Sequence, residues 1–194
     1  MEREVAIMPD SILNRRFTVD EYYIMARSGI LREDERVELI EGEIIQLPPI
    51  GSRHMAWVNQ IVACFHRDLP PERAMVITQR PIRLDIYNEP EPDVALLKPR
   101  AGFYENQIPG PTDVCLIVEV SDLSLEYDRE VKVPLYARFG IPEVWLANVE
   151  NLTVTVFRTP SPTGYEERQT VRPGQTVSPL EFPEIALAVQ KMIG

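Results

Sequence analysis

Two short apolar segments constrain the fold of this 194-residue chain more than any other feature. Residues 93–97 and 114–120 consist almost wholly of Val, Leu, Ile and Ala, with a single acidic residue in each, Asp93 and Glu119. Apolar runs of this length are typical of strands that are covered on both faces. They predict the central strands of a sheet that lies between layers of helices, as in an α/β protein.

Local signals predict three elements before these strands. Thr18 and Glu21 have the spacing of a capping box, which predicts a helix over residues 19–28. Residues 37–47 form two strand-like arms around Glu41-Gly42, the pattern of a β-hairpin. A second helix is predicted from an N-cap at Ser52 to Pro70, because apolar residues between them recur at helical spacing.

The remaining segments complete the order of elements. Residues 74–84 are a further strand candidate, and residues 98–112 form a long proline- and glycine-rich loop. A helix is expected within residues 128–139, and Pro134 means that it starts near residue 133 or bends there. Strands are predicted at 143–149, 152–158 and about 165–171, followed by a last amphipathic helix with Ile185, Ala188, Val189 and Met192 on one side.

Composition narrows the class of protein. No apolar segment approaches the roughly 18 residues of a membrane span, and the N-terminus lacks the apolar region of a secretory signal. Cys64 and Cys115 match no metal-ligand spacing, so reduced, buried thiols and a cytoplasmic location are expected. The net charge of −10 disfavours nucleic-acid binding by the surface as a whole, so such binding would require local basic residues or metal ions.

Three acidic residues lie where burial is expected. Asp93 opens one apolar strand, Glu119 lies near the end of the next, and Glu38 stands between apolar neighbours in the hairpin. A buried carboxylate is costly unless it is paired or bound to a metal. If the two strands are neighbours, Asp93 and Glu119 converge, and their oxygen atoms suit Mg²⁺ or Mn²⁺. This pattern indicates metal-assisted chemistry on a phosphodiester.

Lys132 is the candidate cation for such a site. It follows Glu119 by thirteen residues and precedes Pro134 at the start of the helix that returns to the sheet. A lysine there could position an attacking water molecule or stabilise charge on phosphorus. The alternative is a solvated lysine at a helix terminus, and the spacing alone leaves both interpretations open.

The sequence resembles the Uma2 family of endonucleases. The resemblance rests on VELIEGE, PDVALL, LIVEVSD, the Asp128–Lys132 spacing and KVPLYARFGIPEVWL, which occur in the family's order. It implies the restriction-endonuclease-like, or PD-(D/E)XK, fold: an α/β protein with an αβββαβ core and a mixed central sheet. It further implies one nuclease-like domain over residues 1–194 with its core at about 52–149, an N-terminal helix and β-hairpin, and C-terminal strands and a helix.

The resemblance also implies roles for individual residues. Asp93 matches the aspartate of the PD element, and Glu119 matches the acidic residue of the second half-motif. Ser121 stands where the strict motif has lysine, and Lys132 matches a lysine that the following helix supplies in its place. Glu38 matches an upstream glutamate and would be a further metal ligand.

Three weaker assignments accompany these. Glu43 is a less favoured alternative to Glu38. His54 matches a recurring histidine that would contact substrate or cap its helix, and Gln79 falls where this fold often places a polar residue near the site. The implied catalytic set is therefore Asp93, Glu119, Lys132 and Glu38.

The resulting hypothesis is an Mg²⁺- or Mn²⁺-dependent endonuclease that cleaves DNA as a cytoplasmic homodimer. The residues themselves do not separate DNA from RNA. Two alternatives stay open: a non-catalytic interaction module on the same scaffold, and a metal-dependent hydrolase with another substrate. Clustering of the nearby basic residues around the acidic site would favour nucleic acid: Arg80, Arg83, Lys98 and Arg100.

Overall fold

The structure, a computed structural model, describes residues 14–193 of the chain. Its helices are α1 (Val19–Arg27), α2 (Ser52–Asp68), α3 (Leu125–Tyr127), α4 (Val133–Arg138) and α5 (Val189–Ile193). Its strands are β1 (Val37–Ile40), β2 (Glu43–Gln46), β3 (Met75–Thr78), β4 (Val94–Leu97), β5 (Val114–Ser121), β6 (Glu143–Asn148), β7 (Thr153–Ser161), β8 (Gly164–Val171), β9 (Thr176–Val177) and β10 (Leu187–Ala188).

A six-stranded mixed sheet with the order β3-β4-β5-β6-β7-β8 forms the centre of the molecule. Neighbouring strands are antiparallel except for β5 and β6, which are parallel. A parallel pair requires a crossover connection, and α3 and α4 provide it. The helix, three strands, helix and strand of the predicted core are therefore present in the predicted order.

Apolar layers cover both faces of this sheet. One layer joins the sheet to α2 and α5 and includes Phe65, Trp145 and Val189. The other joins it to α4 and includes Ile117 and Tyr136. Every residue of β4 and β5 is buried, which confirms the prediction that these strands are covered on both faces.

The N-terminal predictions are confirmed with small shifts. Helix α1 begins after Thr18, and Thr18 and Glu21 form the reciprocal hydrogen bonds of a capping box. Strands β1 and β2 pair as the predicted hairpin. The N-cap of α2 is Gly51 rather than Ser52, which is the first helical residue and forms no capping hydrogen bond.

The strand predicted over residues 74–84 is too long. Strand β3 ends at Thr78, and Gln79 adopts a left-handed backbone conformation with φ of 48°. A left-handed residue cannot continue a strand, and Pro81 supplies no N–H for a ladder. The backbone N–H of Gln79 instead donates to the carbonyl of Pro92, at 3.1 Å.

The crossover helix begins earlier than predicted. It starts at Leu125, and a π-helical turn over Asp128–Lys132 separates α3 from α4. Pro134 has no N–H, and its ring would collide with the carbonyl of the residue four positions earlier in a regular α-helix. The wider π-helical turn lies directly before this proline, so the local cause of the irregularity is in the sequence.

The last predicted helix is largely wrong. Only Val189–Ile193 is helical, and Leu187–Ala188 pairs with β9. Ile185, Val189 and Met192 are nevertheless buried, so the apolar pattern marked core residues and not a continuous helix.

Other expectations have mixed outcomes. Cys64 and Cys115 are free and buried. Among residues 14–193, no helix has the length and apolar character that a membrane crossing requires. The single domain over residues 1–194 and the cytoplasmic location stay predictions.

Candidate active site

Asp93 and Glu119 come together because β4 and β5 are neighbours. Val94 pairs with Val118 in antiparallel register, which places the residue before Val94 beside the residue after Val118. Oδ2 of Asp93 accepts a hydrogen bond from the backbone N–H of Val120, at 2.9 Å. Both carboxylates line one pocket of about 100 Å³. The convergence that was predicted on condition that the strands are neighbours is therefore present.

The crossover helix brings Lys132 to the same pocket. Its Nζ lies 2.8 Å from Oε1 of Glu119 and 3.0 Å from Oε1 of Glu38. The side chain is 3% exposed, so the ammonium group is buried between two carboxylates. The interpretation of Lys132 as a solvated helix-terminal lysine is therefore wrong.

Glu38 contacts the lysine and does not line the pocket. Its Oε1 accepts hydrogen bonds from Nζ of Lys132 and from the backbone N–H of Glu91, both at 3.0 Å. Its Oε2 is buried and has no hydrogen-bond partner among the described residues. Metal ligation by Glu38 stays a prediction. Glu43, the less favoured alternative, lies exposed on β2 and does not line the pocket.

The ammonium form of Lys132 is strongly favoured. Burial alone would lower its pKa, but the neighbouring carboxylates of Glu119 and Glu38 outweigh burial and raise the pKa well above the ordinary value of 10.5. Lys132 is therefore a cation at every pH at which a nuclease would work. It can donate hydrogen bonds and attract negative charge, but it cannot accept a proton.

The pKa of Glu119 is raised, which favours the neutral form of its carboxyl group. Burial raises its pKa from 4.5 to about 8, and the nearby carboxylates of Asp128, Asp93 and Glu38 add to this effect while Lys132 opposes it. The hydroxyl of Tyr136 donates to Oε1 of Glu119, at 2.6 Å. The ammonium group of Lys132 therefore does not fully offset the burial of Glu119 and its repulsion by the neighbouring carboxylates.

The raised pKa of Glu119 predicts a pH-dependent stability. The folded protein binds the Glu119 proton more tightly than the unfolded chain, so this stabilisation is complete below pH 4.5 and is lost as the pH rises through about 8. We expect Glu119→Gln to remove that slope, a change on the order of a few kcal/mol across the window. Urea denaturation at pH 4.5, 6 and 8 measures it.

A matched control for this measurement is Glu72→Gln, which changes an exposed carboxylate. It should retain the slope of the unchanged protein. Parallel pH profiles for Glu119→Gln and the unchanged protein would contradict the assigned shift.

His54 and Gln79 differ in their relation to the pocket. His54 lies in the first turn of α2 and lines the pocket, with Nε2 3.0 Å from Oδ2 of Asp93. Gln79 is absent from the described residues that line it. The substrate-binding roles of both residues stay predictions.

Sequence reasoning missed a buried network beside these residues. Oδ2 of Asp128 accepts hydrogen bonds from the hydroxyls of Ser121, at 2.7 Å, and Ser124, at 2.6 Å. Ser121, which replaces the motif lysine, therefore donates a hydrogen bond to Asp128. The i, i+4 spacing of Asp128 and Lys132 was the available signal, because residues so spaced share one side of a helix.

The donor set fits a metal site built from two carboxylates. Asp93 Oδ1 and Glu119 Oε2 accept no hydrogen bond from any described residue, and Mg²⁺ sites commonly use one or two carboxylates completed by water and substrate phosphate. Among residues 14–193, no group of three or more His, Cys, Asp or Glu side chains could enclose a metal ion. A metal ion in this pocket would therefore have at most two carboxylate ligands from the described residues.

The four basic residues near Asp93 do not enter this pocket. Arg80 and Arg83 line a larger pocket beside β3, the guanidinium of Arg100 lies 5.4 Å from the ring centroid of Tyr104, and Nζ of Lys98 donates to the carbonyl of Thr112. The cations that line the small pocket are Arg36 and Lys132. Three of the four nearby basic residues are thus associated with one separate surface, so the clustering around the acidic site that would favour nucleic acid is not observed and the interaction-module alternative gains support.

A comparison with protein families decides the relationship. The model of Uma2, described as "Putative restriction endonuclease", matches residues 19–190. The chain belongs to the Uma2 family. Membership supports a nuclease, that is, a hydrolase that acts on nucleic acid.

A solved structure shows the same fold. It is described as "a putative nuclease belonging to DUF820" from Anabaena variabilis ATCC 29413, and it superposes with a TM-score of 0.72 at 19% sequence identity. The match covers 91% of this chain and 97% of that chain. No curated protein matches the sequence. The Uma2 chain thus has the predicted nuclease-like fold with a mixed central sheet.

Proposed function

We propose that this Uma2 protein is a divalent-metal-dependent endonuclease that hydrolyses phosphodiester bonds in DNA. The observation that carries the proposal is the meeting of Asp93, Glu119 and Lys132 in one pocket, from two strands and a helix. Two acidic oxygen donors beside a buried ammonium group suit a reaction in which negative charge develops on phosphate oxygens. The family membership supports the same reaction class.

In this proposal Asp93 and Glu119 hold the metal ion, Mg²⁺ or Mn²⁺. When bound, the ion supplies Lewis-acid stabilisation of phosphate charge and lowers the pKa of water. The backbone N–H of Val120 orients Asp93, and the Tyr136 hydroxyl orients Glu119. The excess of buried carboxylates over ammonium groups supports cation binding, since a divalent ion would offset their repulsion.

Lys132 acts as a fixed positive charge in this reaction. Its pKa lies well above 10.5 because Glu119 and Glu38 outweigh the effect of burial, so it is not the general base. The ammonium group would orient the attacking water and attract the phosphate oxygens, as three donors on one nitrogen allow. Glu38 holds Lys132 in place through its 3.0 Å contact.

The proposal includes a homodimer. Each chain offers one such pocket, and the two strands of a duplex run in opposite directions, so two pockets related by a twofold axis can address both. Sedimentation velocity measures the assembly state. A protein that is monomeric with and without duplex DNA, and that only nicks plasmid, would overturn this part.

The decisive experiment is plasmid cleavage by the unchanged protein, Asp93→Ala and Lys132→Ala. With Mg²⁺ or Mn²⁺ we expect nicking or linearisation by the unchanged protein alone and none after addition of EDTA. Asp34→Asn, which changes an exposed carboxylate, should cleave normally. A parallel single-stranded RNA substrate separates DNA from RNA.

Two results would contradict the proposal. Equal residual nicking by all variants would indicate a contaminant. Absence of cleavage by the unchanged protein, combined with retained DNA binding, would favour the non-catalytic module, an alternative to which the serine at position 121 also points.

A further inference from the structure

A second and larger pocket lies beside the edge strand of the sheet. It has a volume of about 880 Å³ and lies between β3 and the segment 103–110. Strand β3 is the first strand of the sheet order and pairs only with β4 among the described strands. We call this pocket the edge groove; its polar and aromatic lining includes Arg80, Arg83, Phe103, Tyr104, Asn106 and Gln107.

An exposed aromatic side chain, that of Phe103, lines the edge groove. Phe103 is 75% exposed, although a phenylalanine gains free energy by burial. Three consecutive residues, Gly102, Phe103 and Tyr104, have left-handed φ values of 77°, 51° and 61°. Such conformations are unfavourable for non-glycine residues and are concentrated at ligand clamps and active sites.

The neighbouring tyrosine anchors this strained turn. The hydroxyl of Tyr104 donates to the carbonyl of Lys98, at 2.8 Å, and the Arg100 guanidinium covers one face of its ring. Tyr104 also packs against the apolar layer of the sheet. The backbone at Phe103 is therefore next to an anchored residue, and the Phe103 side chain is exposed beside it.

The edge groove is more basic than the protein as a whole. Arg80 is exposed and forms no ion pair with any described residue, whereas Arg83 pairs with the buried Glu89 at 2.6 Å. Arg100 adds a third guanidinium beside the groove, and Glu105 is the acidic residue in its lining. With Arg83 paired to Glu89, Arg80 and Arg100 exceed Glu105 by one positive charge, so the groove is slightly basic on a chain of net charge −10.

The edge groove begins at the end of the sheet where Asp93 lies. Thr78 pairs with Val94, and the backbone N–H of Gln79 donates to the carbonyls of Pro92 and Asp93, at 3.1 and 3.3 Å. Arg80 follows directly along the chain. These contacts place the start of the groove on the strand next to the one that follows Asp93.

We infer that the edge groove binds unpaired nucleotides of a nucleic-acid substrate, with a base stacked on Phe103 and phosphate on Arg80. The inference rests on the proposed function and adds a substrate subsite to it. Every base offers a flat face for stacking, and a guanidinium group matches the geometry of phosphate. The side-chain amides of Asn106 and Gln107 can pair with base edges only where those edges are free of a complementary strand.

The test is binding of dye-labelled single-stranded dT12 and rU12 by fluorescence anisotropy, with the full chain in EDTA so that no metal-dependent cleavage occurs. We expect Phe103→Ala to weaken binding about tenfold and Phe103→Trp to preserve it, because the indole ring also stacks. We expect Arg80→Gln to reduce the salt dependence by about 0.7 in the slope of log affinity against log salt concentration. The dT12 and rU12 arms distinguish DNA from RNA.

Matched controls are Ile30→Ala, which removes another exposed apolar side chain, and Arg27→Gln, which removes another exposed cation. Both should bind as the unchanged protein does. Equal affinities for Phe103→Ala and the unchanged protein, or no affinity for either oligonucleotide, would overturn the groove assignment. The latter result would favour a peptide that pairs with the free edge of β3.

Plasmid cleavage separates this inference from the proposed function. If cleavage depends on Asp93 but oligonucleotide binding is unchanged in Phe103→Ala, the groove assignment is contradicted and the proposed nuclease function is supported. If binding depends on Phe103 but the protein does not cleave, the groove assignment is supported and the proposed nuclease function is contradicted.

Discussion

Replacing Lys132 with methionine should lower the free energy of unfolding at pH 8 by about 3–5 kcal/mol, since it leaves buried carboxylates without their ammonium partner. The loss should be much smaller near pH 4.5, because the raised pKa of Glu119 keeps that carboxyl group neutral in the folded protein. Cleavage should fall by about 100-fold or more, because the fixed charge beside the reacting phosphate is gone. Urea denaturation at both pH values and plasmid cleavage measure these effects.

The companion variants separate electrostatics from packing. Combining Lys132→Met with Glu38→Gln and Glu119→Gln removes the unpaired charges and should recover most of the stability, while cleavage stays lost. Lys98→Met changes a lysine outside the pocket and should leave cleavage intact. An equal loss of stability at pH 4.5 and pH 8 for Lys132→Met would attribute the effect to packing and contradict the electrostatic account.

Replacing Asp93 with asparagine should weaken Mn²⁺ binding by about 100-fold or more, since even outer-shell changes at metal sites cost 10- to 100-fold. Its stability should change by only about 1 kcal/mol, because the asparagine oxygen can still accept the Val120 N–H. Titration calorimetry with Mn²⁺ at pH 8 measures the affinity independently of any cleavage. Plasmid cleavage should be abolished in parallel.

The control for this titration is Asp34→Asn, whose side chain is 69% exposed in the folded protein. It should bind Mn²⁺ as the unchanged protein does. Unchanged Mn²⁺ affinity in Asp93→Asn would remove the metal from the proposed mechanism, whatever the cleavage assay showed.

Predictions that depended on local chemistry were the most accurate. The capping box of Thr18 and Glu21 defines the start of α1 because its hydrogen bonds lie within four residues. The apolar segments at 93–97 and 114–120 became buried strands because their composition leaves no face for solvent. The strand predicted over residues 74–84 ends before Gln79, because Gln79 has a left-handed backbone conformation. Hydrogen bonds to the carbonyls of Pro92 and Asp93, which are distant in sequence, stabilise this conformation.

The lysine shows the limit of sequence reasoning most clearly. Spacing alone left Lys132 either solvated or catalytic, since a helix start can face water or protein. The π-helical turn before Pro134 and the packing of α4 on the sheet bury its ammonium group between Glu38 and Glu119. These two residues precede Lys132 by 94 and 13 positions in the sequence. The buried hydrogen bond between Ser121 and Asp128 was not predicted, and the spacing of Asp128 from Lys132 was the one signal for it.

By itself, the sequence determined the apolar strands, the helix cap and the burial expected for Asp93, Glu119 and Glu38, because composition and spacing govern strands, caps and apolar faces locally. The tertiary structure alone decided which groups meet. Asp93, Glu119, Lys132 and Glu38 share one site only because two strands pair in register and the crossover helix packs across them. The same packing leaves Phe103 and Arg80 on a separate groove, since contacts between distant segments set the direction in which each side chain points.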